Sequence, residues 1–158
     1  MLISRLIAPT LLAMLFIASP ASSPVLASGS QSAAAPDCRF LIHVTGLRNN
    51  KGKVGTTLFV KPDGWPENND KAYKHGQAPI ANQEASAEWL VPAGDYAVAM
   101  LHDENENHKL DRNFFHWPLE GFGFANNPKV GLTAPPFKDA IVHVSCPVTS
   151  IEIKAIYK

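Results

Sequence analysis

The sequence predicts an all-β fold, a single antiparallel β-sandwich of about seven strands with one long ordered loop and at most one short helix. Several short segments alternate between apolar and polar residues, which is the period of a half-buried strand. Gly, Pro, Asn and Asp separate these segments at short intervals, and no segment carries a long helical period. Short, evenly spaced strands with such turns are typical of a sandwich.

The first residues are typical of a secretory signal peptide. Arg5 precedes an apolar run at 6–18, and Val25-Leu26-Ala27 place small residues at cleavage spacing. We therefore expect a signal peptide at 1–27, a flexible lead-in at 28–37 and one β domain at 38–158. The protein is expected to be exported, periplasmic or extracellular, with no membrane anchor after cleavage.

Composition narrows the class of protein further. Cleavage would remove one of the 14 basic residues and none of the 14 acidic ones, so the mature chain would carry a formal charge of −1. That balance argues against nucleic-acid binding, which requires a basic face. Two cysteines in an exported chain predict one disulfide, Cys38 to Cys146.

The strands are predicted in chain order. Residues 38–45 alternate, with Phe40, Ile42 and Val44 on one face. A turn ending in Gly52 suits a positive φ and leads to a strand at 53–60, its expected hairpin partner. Further strands are expected at 85–91, 96–101, 139–145 and 149–157, and the strand at 96–101 is apolar on both faces and thus central.

Two segments have a less regular pattern. Residues 69–73 are expected to form a single helical turn that Gly76 ends. Residues 113–137 have no clear period, and their aromatic residues predict a long loop that is ordered.

The acidic segment after the central strand predicts a metal site. Oxygen-bearing side chains recur at every second position, and the spacing resembles an EF-hand loop, whose ligands would be Asp103, Asn105, Asn107, the Lys109 carbonyl and Asp111. His108 occupies the sixth position, usually Gly, and can adopt positive φ. The twelfth position is Phe114 rather than Glu, so Glu120 is the candidate for the last carboxylate. We expect Ca²⁺ with a Kd of about 10⁻⁴–10⁻³ M.

Three groups of residues resemble one known family. His102-Asp103-Glu104-Asn105 with Lys109-Leu110-Asp111 is the first, Pro118-Leu119-Glu120-Gly121-Phe122-Gly123-Phe124 the second, and Pro135-Pro136-Phe137-Lys138-Asp139-Ala140 the third. Together they resemble domain-of-unknown-function family 2141 over about residues 38–157. The resemblance implies a small exported bacterial protein with a transthyretin-like or carboxypeptidase-regulatory β-sandwich, and it implies no biochemical activity.

Other interpretations of the acidic segment remain open. The loop can be a solvated one that Asx-turns hold without a metal, with Glu104 and Glu106 facing solvent. A second metal hypothesis uses His102, His108 and His116 for Zn²⁺ or Cu²⁺.

The aromatic segment and the carboxylates suggest two further functions. Trp117, Phe122 and Phe124 are a possible platform for a carbohydrate or peptide ligand, or they are simply core. A hydrolase would need paired carboxylates, drawn from Asp103, Asp111, Glu120 and Asp139. We expect a non-enzymatic protein, and the sequence specifies neither its small ligand or protein partner nor its oligomeric state.

Overall fold

The computed structural model describes residues 37–158, which form eight strands and two short 3-10 helices. The predicted signal peptide and most of the predicted lead-in lie outside these residues. In chain order the strands are β1 (Asp37–Thr45), β2 (Lys53–Phe59), β3 (Lys74–Ala81), β4 (Glu84–Pro92), β5 (Gly94–Asp103), β6 (Gly121–Phe124), β7 (Ile141–Val144) and β8 (Val148–Lys154). The 3-10 helices span Asn69–Lys71 and Phe137–Ala140. Among the described residues no helix is long and apolar enough to cross a membrane.

The strands follow one continuous path that nearly closes into a barrel. Their order is β6-β5-β2-β3-β4-β1-β8, and β7 pairs with β5 beside β6. Beyond β8, Phe122 and Ile156 exchange two backbone hydrogen bonds of 3.1 and 2.8 Å and bring the two ends of the path together. The all-β prediction is confirmed, whereas the sandwich type and the number of about seven strands are not.

The interior of the barrel contains the main core. Phe40, Ile42 and Val44 of β1 are buried, as their alternation predicts, and Val98 and Met100 of β5 face them from the other side. Burying aliphatic and aromatic side chains of this size stabilises the fold by about 1.5–3 kcal/mol each. The period-2 pattern therefore identified the inward face correctly.

A second apolar cluster covers the outer face of β5 and β6. Ala97, Ala99, Phe122 and Phe124 are buried there, beneath loop residues that include Trp65. The Trp65 ring lies 5.5 Å from the Phe124 ring, centroid to centroid. This cover explains why β5 is apolar on both faces, and the central position predicted for it is confirmed, since β5 pairs with β2, β6 and β7.

The predicted hairpin of the first two strands is wrong. β1 pairs with β4 antiparallel and with β8 in parallel, while β2 pairs with β3 and β5. The connection at 46–52 instead carries the chain from one side of the barrel to the other. Alternation in the sequence shows which face of a strand is buried but not which strand lies next to it. It therefore does not predict the pairing of the strands.

The single helical turn predicted at 69–73 is present but shorter, at Asn69–Lys71, and its predicted end at Gly76 is wrong. The 3-10 helix begins at Asn69, and Gly76 does not end it, because Gly76 lies within β3. A Cβ atom on Gly76 would approach the Trp89 ring to 2.8 Å, so this glycine makes room for a large side chain of β4. β3 was missed because its Gly and Pro residues have low strand propensity.

The segment at 113–137 is ordered but is not one loop. It contains β6, and the predicted strand at 139–145 is shorter than expected because a 3-10 helix occupies Phe137–Ala140.

The predicted disulfide is confirmed. Cys38 and Cys146 are bonded, with their Cα atoms 4.7 Å apart. They meet because β1 and β8 run in parallel with Arg39 opposite Val148, which places both cysteines at the same end of the barrel. The bond joins the first described strand to the segment that leads into β8.

Candidate functional site

The acidic loop at 103–111 begins where β5 ends. Alternation along β5 turns His102 into the barrel and Asp103 to the outer face. Asp103 is 0% exposed, and its carboxylate accepts hydrogen bonds from the backbone N–H groups of Asn107 (3.0 Å) and His108 (2.8 Å). Gln77 of β3 donates a third hydrogen bond through Nε2 at 3.2 Å. The first predicted metal ligand thus anchors the turn of its own loop.

The next predicted ligands converge on Asp111. Asn105 Nδ2 donates to Asp111 Oδ2 (2.7 Å), and Asn107 Nδ2 donates to Asp111 Oδ1 (2.9 Å). Meanwhile Asn105 Oδ1 accepts from the Asn107 N–H (3.1 Å), and Asn107 Oδ1 accepts from the Lys109 N–H (2.9 Å). The Asx-turns of the alternative interpretation, a loop held without a metal, are therefore present, and they bring the oxygen-bearing side chains together.

The backbone of the loop turns as the sequence predicts. His108, at the position where an EF-hand loop usually has Gly, has φ 64°, and Glu106 has φ 59°. Leu110 packs against the outer apolar cluster and fixes the end of the loop to the barrel.

Glu120 folds back to the loop, as its short separation in sequence predicts. Its carboxylate binds backbone N–H groups of the loop. Its carboxylate accepts the N–H of Glu104 through Oε1 (2.9 Å) and the N–H of Asp111 through Oε2 (3.1 Å). Glu120 is 4% exposed, so these two bonds satisfy a buried carboxylate. It ties the two ends of the loop together.

Neighbouring residues hold the loop from its other side. Glu104 was expected to face solvent, but Arg48 and Asn49 donate to its carboxylate at 2.6 and 3.2 Å. Burial alone would raise the pKa of Glu104, yet these hydrogen bonds and the Arg48 charge hold that pKa below its ordinary value. Glu106 pairs with Lys53 at 2.7 Å. Gly52 allows this close packing, since a Cβ there would lie 1.9 Å from the Asp103 carbonyl oxygen.

A polar pair, the buried His102 and the half-buried Tyr157, supports the base of the loop from inside the barrel. His102 Nε2 lies 2.9 Å from the Lys51 carbonyl oxygen, so it is the donor, and the Tyr157 hydroxyl donates to Nδ1 at 2.6 Å. The same hydroxyl accepts the Arg48 N–H at 3.0 Å. Burial raises the pKa of Tyr157 above its ordinary value. Sequence reasoning missed this pair, for which the only signal was the inward phase of Tyr157.

The histidine centre is not assembled, and of the four carboxylates proposed for a hydrolase only Asp103, Asp111 and Glu120 meet at the loop. His102 faces the barrel interior, whereas His116 lies in an exposed hairpin. Asp139 lies in the second 3-10 helix, where its carbonyl accepts Asn126 Nδ2 at 3.2 Å. Within residues 37–158 no three His, Cys, Asp or Glu side chains are grouped closely enough to hold a metal ion. The calcium hypothesis rests instead on two aspartates and two asparagines.

A family model described as "Uncharacterized protein conserved in bacteria (DUF2141)" matches residues 42–152 of this chain. The chain belongs to this family. The matched region runs from β1 to β8 and includes the acidic loop and Glu120. No curated protein and no solved structure matches the chain. The family description carries no activity, so the geometry of this DUF2141 member must supply any functional argument.

A cleft of about 300 Å³ lies on the outer face of the sheet beside the acidic loop. We call it the sheet cleft. Polar and apolar groups share its lining, which includes Thr57, His75, Gln77, Leu101, Leu110 and Phe122. Its size lies at the lower end of the range for small-molecule sites.

A second cavity of about 510 Å³ lies further along, and we call it the aromatic cleft. Its lining includes Phe115, Trp117, Pro118, Val130, Leu132 and Lys158. Both clefts share Leu110, Arg112, Phe122 and Phe124, so the end of the acidic loop forms their common wall. Of the predicted aromatic platform, Phe122 and Phe124 form a buried floor, and Trp117 stands half-exposed at the rim.

Proposed function

We propose that this protein is an exported, non-enzymatic β-barrel module whose acidic loop binds Ca²⁺ and thereby fixes the wall of the neighbouring ligand clefts. The Cys38–Cys146 disulfide is compatible with an oxidising compartment outside the cytoplasm.

The observation that carries the proposal is the convergence of Asn105, Asn107 and Asp111. Both amide nitrogens face the Asp111 carboxylate. Rotation of each amide exchanges its nitrogen and oxygen, and it gives up the Asx-turn bond that the oxygen accepts from the Asn107 or Lys109 N–H. The oxygens would then face a carboxylate, an arrangement that requires a cation between them. The loop can thus present these oxygen ligands by rotation of two side chains, while the bonds to Asp103 and Glu120 still hold its backbone.

The donor set suits a hard cation. Carboxylate and amide oxygens, a backbone carbonyl and water are the ligands that Ca²⁺ takes. Asp103 and Asp111 supply the two carboxylates, and Asn105, Asn107 and the Lys109 carbonyl complete the proposed set. Glu120 contributes by binding the loop's amides. Two carboxylates correspond to weak extracellular sites with a Kd of about 10⁻⁴–10⁻³ M.

Thermal unfolding of the mature, oxidised protein tests the proposal. Addition of 10 mM Ca²⁺ after EDTA should stabilise the fold by about 1–3 kcal/mol for such a Kd, whereas Mg²⁺ should have a smaller effect. Asp111→Asn should abolish the increase. Asp63→Asn, which changes an exposed aspartate paired with Lys71, should retain it. Equal midpoints with and without Ca²⁺ would refute the proposal, and a response to Zn²⁺ alone would favour the histidine hypothesis.

A second candidate function is the binding of a carbohydrate or peptide in the two clefts. The half-exposed Trp117 at the rim of the aromatic cleft favours it, since an aromatic face next to polar groups suits both ligand classes. Titration with soluble bacterial glycans and with unstructured peptides, followed by tryptophan fluorescence, tests this function. A response that Trp117→Phe removes would support it, and an unchanged spectrum with both classes would oppose it.

A further inference from the structure

Residues 112–118, which we call the aromatic hairpin, project beyond the aromatic cleft as a tight turn. Arg112 and Pro118 form an isolated antiparallel bridge at its base. The Asn113 N–H donates to the Trp117 carbonyl (2.9 Å), and the Asn113 side chain accepts the N–H groups of Phe115 (2.9 Å) and Trp117 (3.0 Å). These bonds hold the turn in one shape, so the positions of its side chains are determined by the fold.

The hairpin exposes its largest apolar side chains. Phe114 is 91% exposed and Phe115 is 74% exposed, although their rings contact each other at 5.5 Å between centroids. Leu132 is 87% exposed in the segment at 128–135, which forms the opposite wall of the aromatic cleft. Contiguous exposed apolar side chains on a folded protein mark an interaction surface.

The residues around these tips are basic. Arg112 lines the aromatic cleft together with the acidic residue Glu67, and Lys129 lies in the segment 128–135. Lys158 adds an ammonium group there, since its Nζ donates to the carbonyls of Val130 (3.0 Å) and Gly131 (2.9 Å). Arg112 is paired with Glu67, so Lys129 and Lys158 provide the positive charge beside the tips.

We propose that the aromatic hairpin and the segment 128–135 dock on an anionic phospholipid bilayer. Phe114, Phe115 and Leu132 enter the acyl boundary, and the lysines contact the headgroups. Protruding apolar tips beside cations have the chemistry of peripheral membrane anchors. In this arrangement the half-exposed Trp117 would lie at the membrane interface, where tryptophan is enriched. Phe114, the most exposed of the three, does not line the aromatic cleft, so a peptide held within that cleft would leave it uncovered.

Co-sedimentation with vesicles tests the proposal. The mature protein should bind vesicles that contain phosphatidylglycerol and should bind pure phosphatidylcholine at least several-fold more weakly. Phe114→Ser with Phe115→Ser should reduce binding by more than about tenfold, since each inserted ring contributes the burial of a large apolar side chain. Leu90→Ser, an exposed apolar change on β4, is the matched control and should bind like wild type.

Fluorescence and hydrodynamic measurements complete the test. Vesicles should shift tryptophan emission to the blue in wild type but not in Trp117→Phe. Because the two phenylalanines are exposed, their replacement should leave the unfolding midpoint unchanged, which separates loss of docking from loss of folding. Wild-type binding by the double variant would overturn the proposal, as would failure of wild type to bind anionic vesicles. Concentration-dependent dimerisation that the double variant abolishes would overturn it in favour of a second copy of the chain.

Discussion

Removal of the Tyr157 hydroxyl should destabilise the whole fold and not only its C-terminus. In Tyr157→Phe the ring remains, but His102 Nδ1 loses its donor, which lies 2.6 Å away in the wild type. The Arg48 N–H loses its acceptor at 3.0 Å as well. His102 is 0% exposed, so water does not replace the lost partner.

The two lost hydrogen bonds determine how much the free energy of unfolding should fall. A buried polar atom left without a partner costs about 1–3 kcal/mol, and an ordinary hydrogen bond contributes about 0.5–1.5 kcal/mol. We therefore expect the free energy of unfolding to fall by about 2–3 kcal/mol. For a domain of this size that corresponds to a decrease in the melting midpoint on the order of 10 °C.

Urea unfolding of the oxidised protein, followed by circular dichroism, measures this change. Tyr73→Phe is the matched control, because it removes a hydroxyl from a half-exposed ring, and its effect should stay within about 0.5 kcal/mol. If Tyr157→Phe unfolds within about 0.5 kcal/mol of the wild type, the His102–Tyr157 pair does not support the base of the loop and the reasoning is wrong.

Three further predictions concern the same framework. The fold lowers the pKa of Glu104, so its ionised carboxylate stabilises the fold above about pH 4.5, and this stabilisation is lost as the pH falls through the lowered pKa. The urea midpoint of Glu104→Gln should therefore decline less steeply in acid than that of wild type. Gly121→Ala should cost about 1–3 kcal/mol in the same assay, since a Cβ would lie 2.6 Å from the Tyr157 ring. Joint replacement of Cys38 and Cys146 by Ala should reduce the free energy of unfolding by about 4–5 kcal/mol, because the bond closes a separation of 108 residues.

The sequence predicted those features that depend on local pattern. Alternation identified the buried face of β1, and an apolar run on both faces identified β5 as central. The spacing of the acidic loop predicted the positive φ of His108, which the structure confirms. Two cysteines were enough to predict one disulfide.

The sequence did not predict features that depend on contacts distant along the chain. The parallel pairing of β1 with β8 has no local signal, and the expected hairpin of β1 and β2 was wrong for the same reason. β3 was missed because Gly76 matches a bulky partner on another strand and not a local turn. The bond between His102 and Tyr157 joins residues 55 positions apart, so no spacing rule reveals it.

Calcium titration of the ¹⁵N-labelled mature protein, followed by amide chemical shifts, tests the central claim most directly. The claim predicts saturable shifts at Asn107, His108 and Asp111 with a Kd of about 10⁻⁴–10⁻³ M, and much smaller shifts on β4, which lies elsewhere in the barrel. Mg²⁺ should produce weaker changes at the same amides. Loop amides that stay unshifted at 10 mM Ca²⁺ would contradict the claim, and the acidic loop would then be a turn that its own asparagines hold.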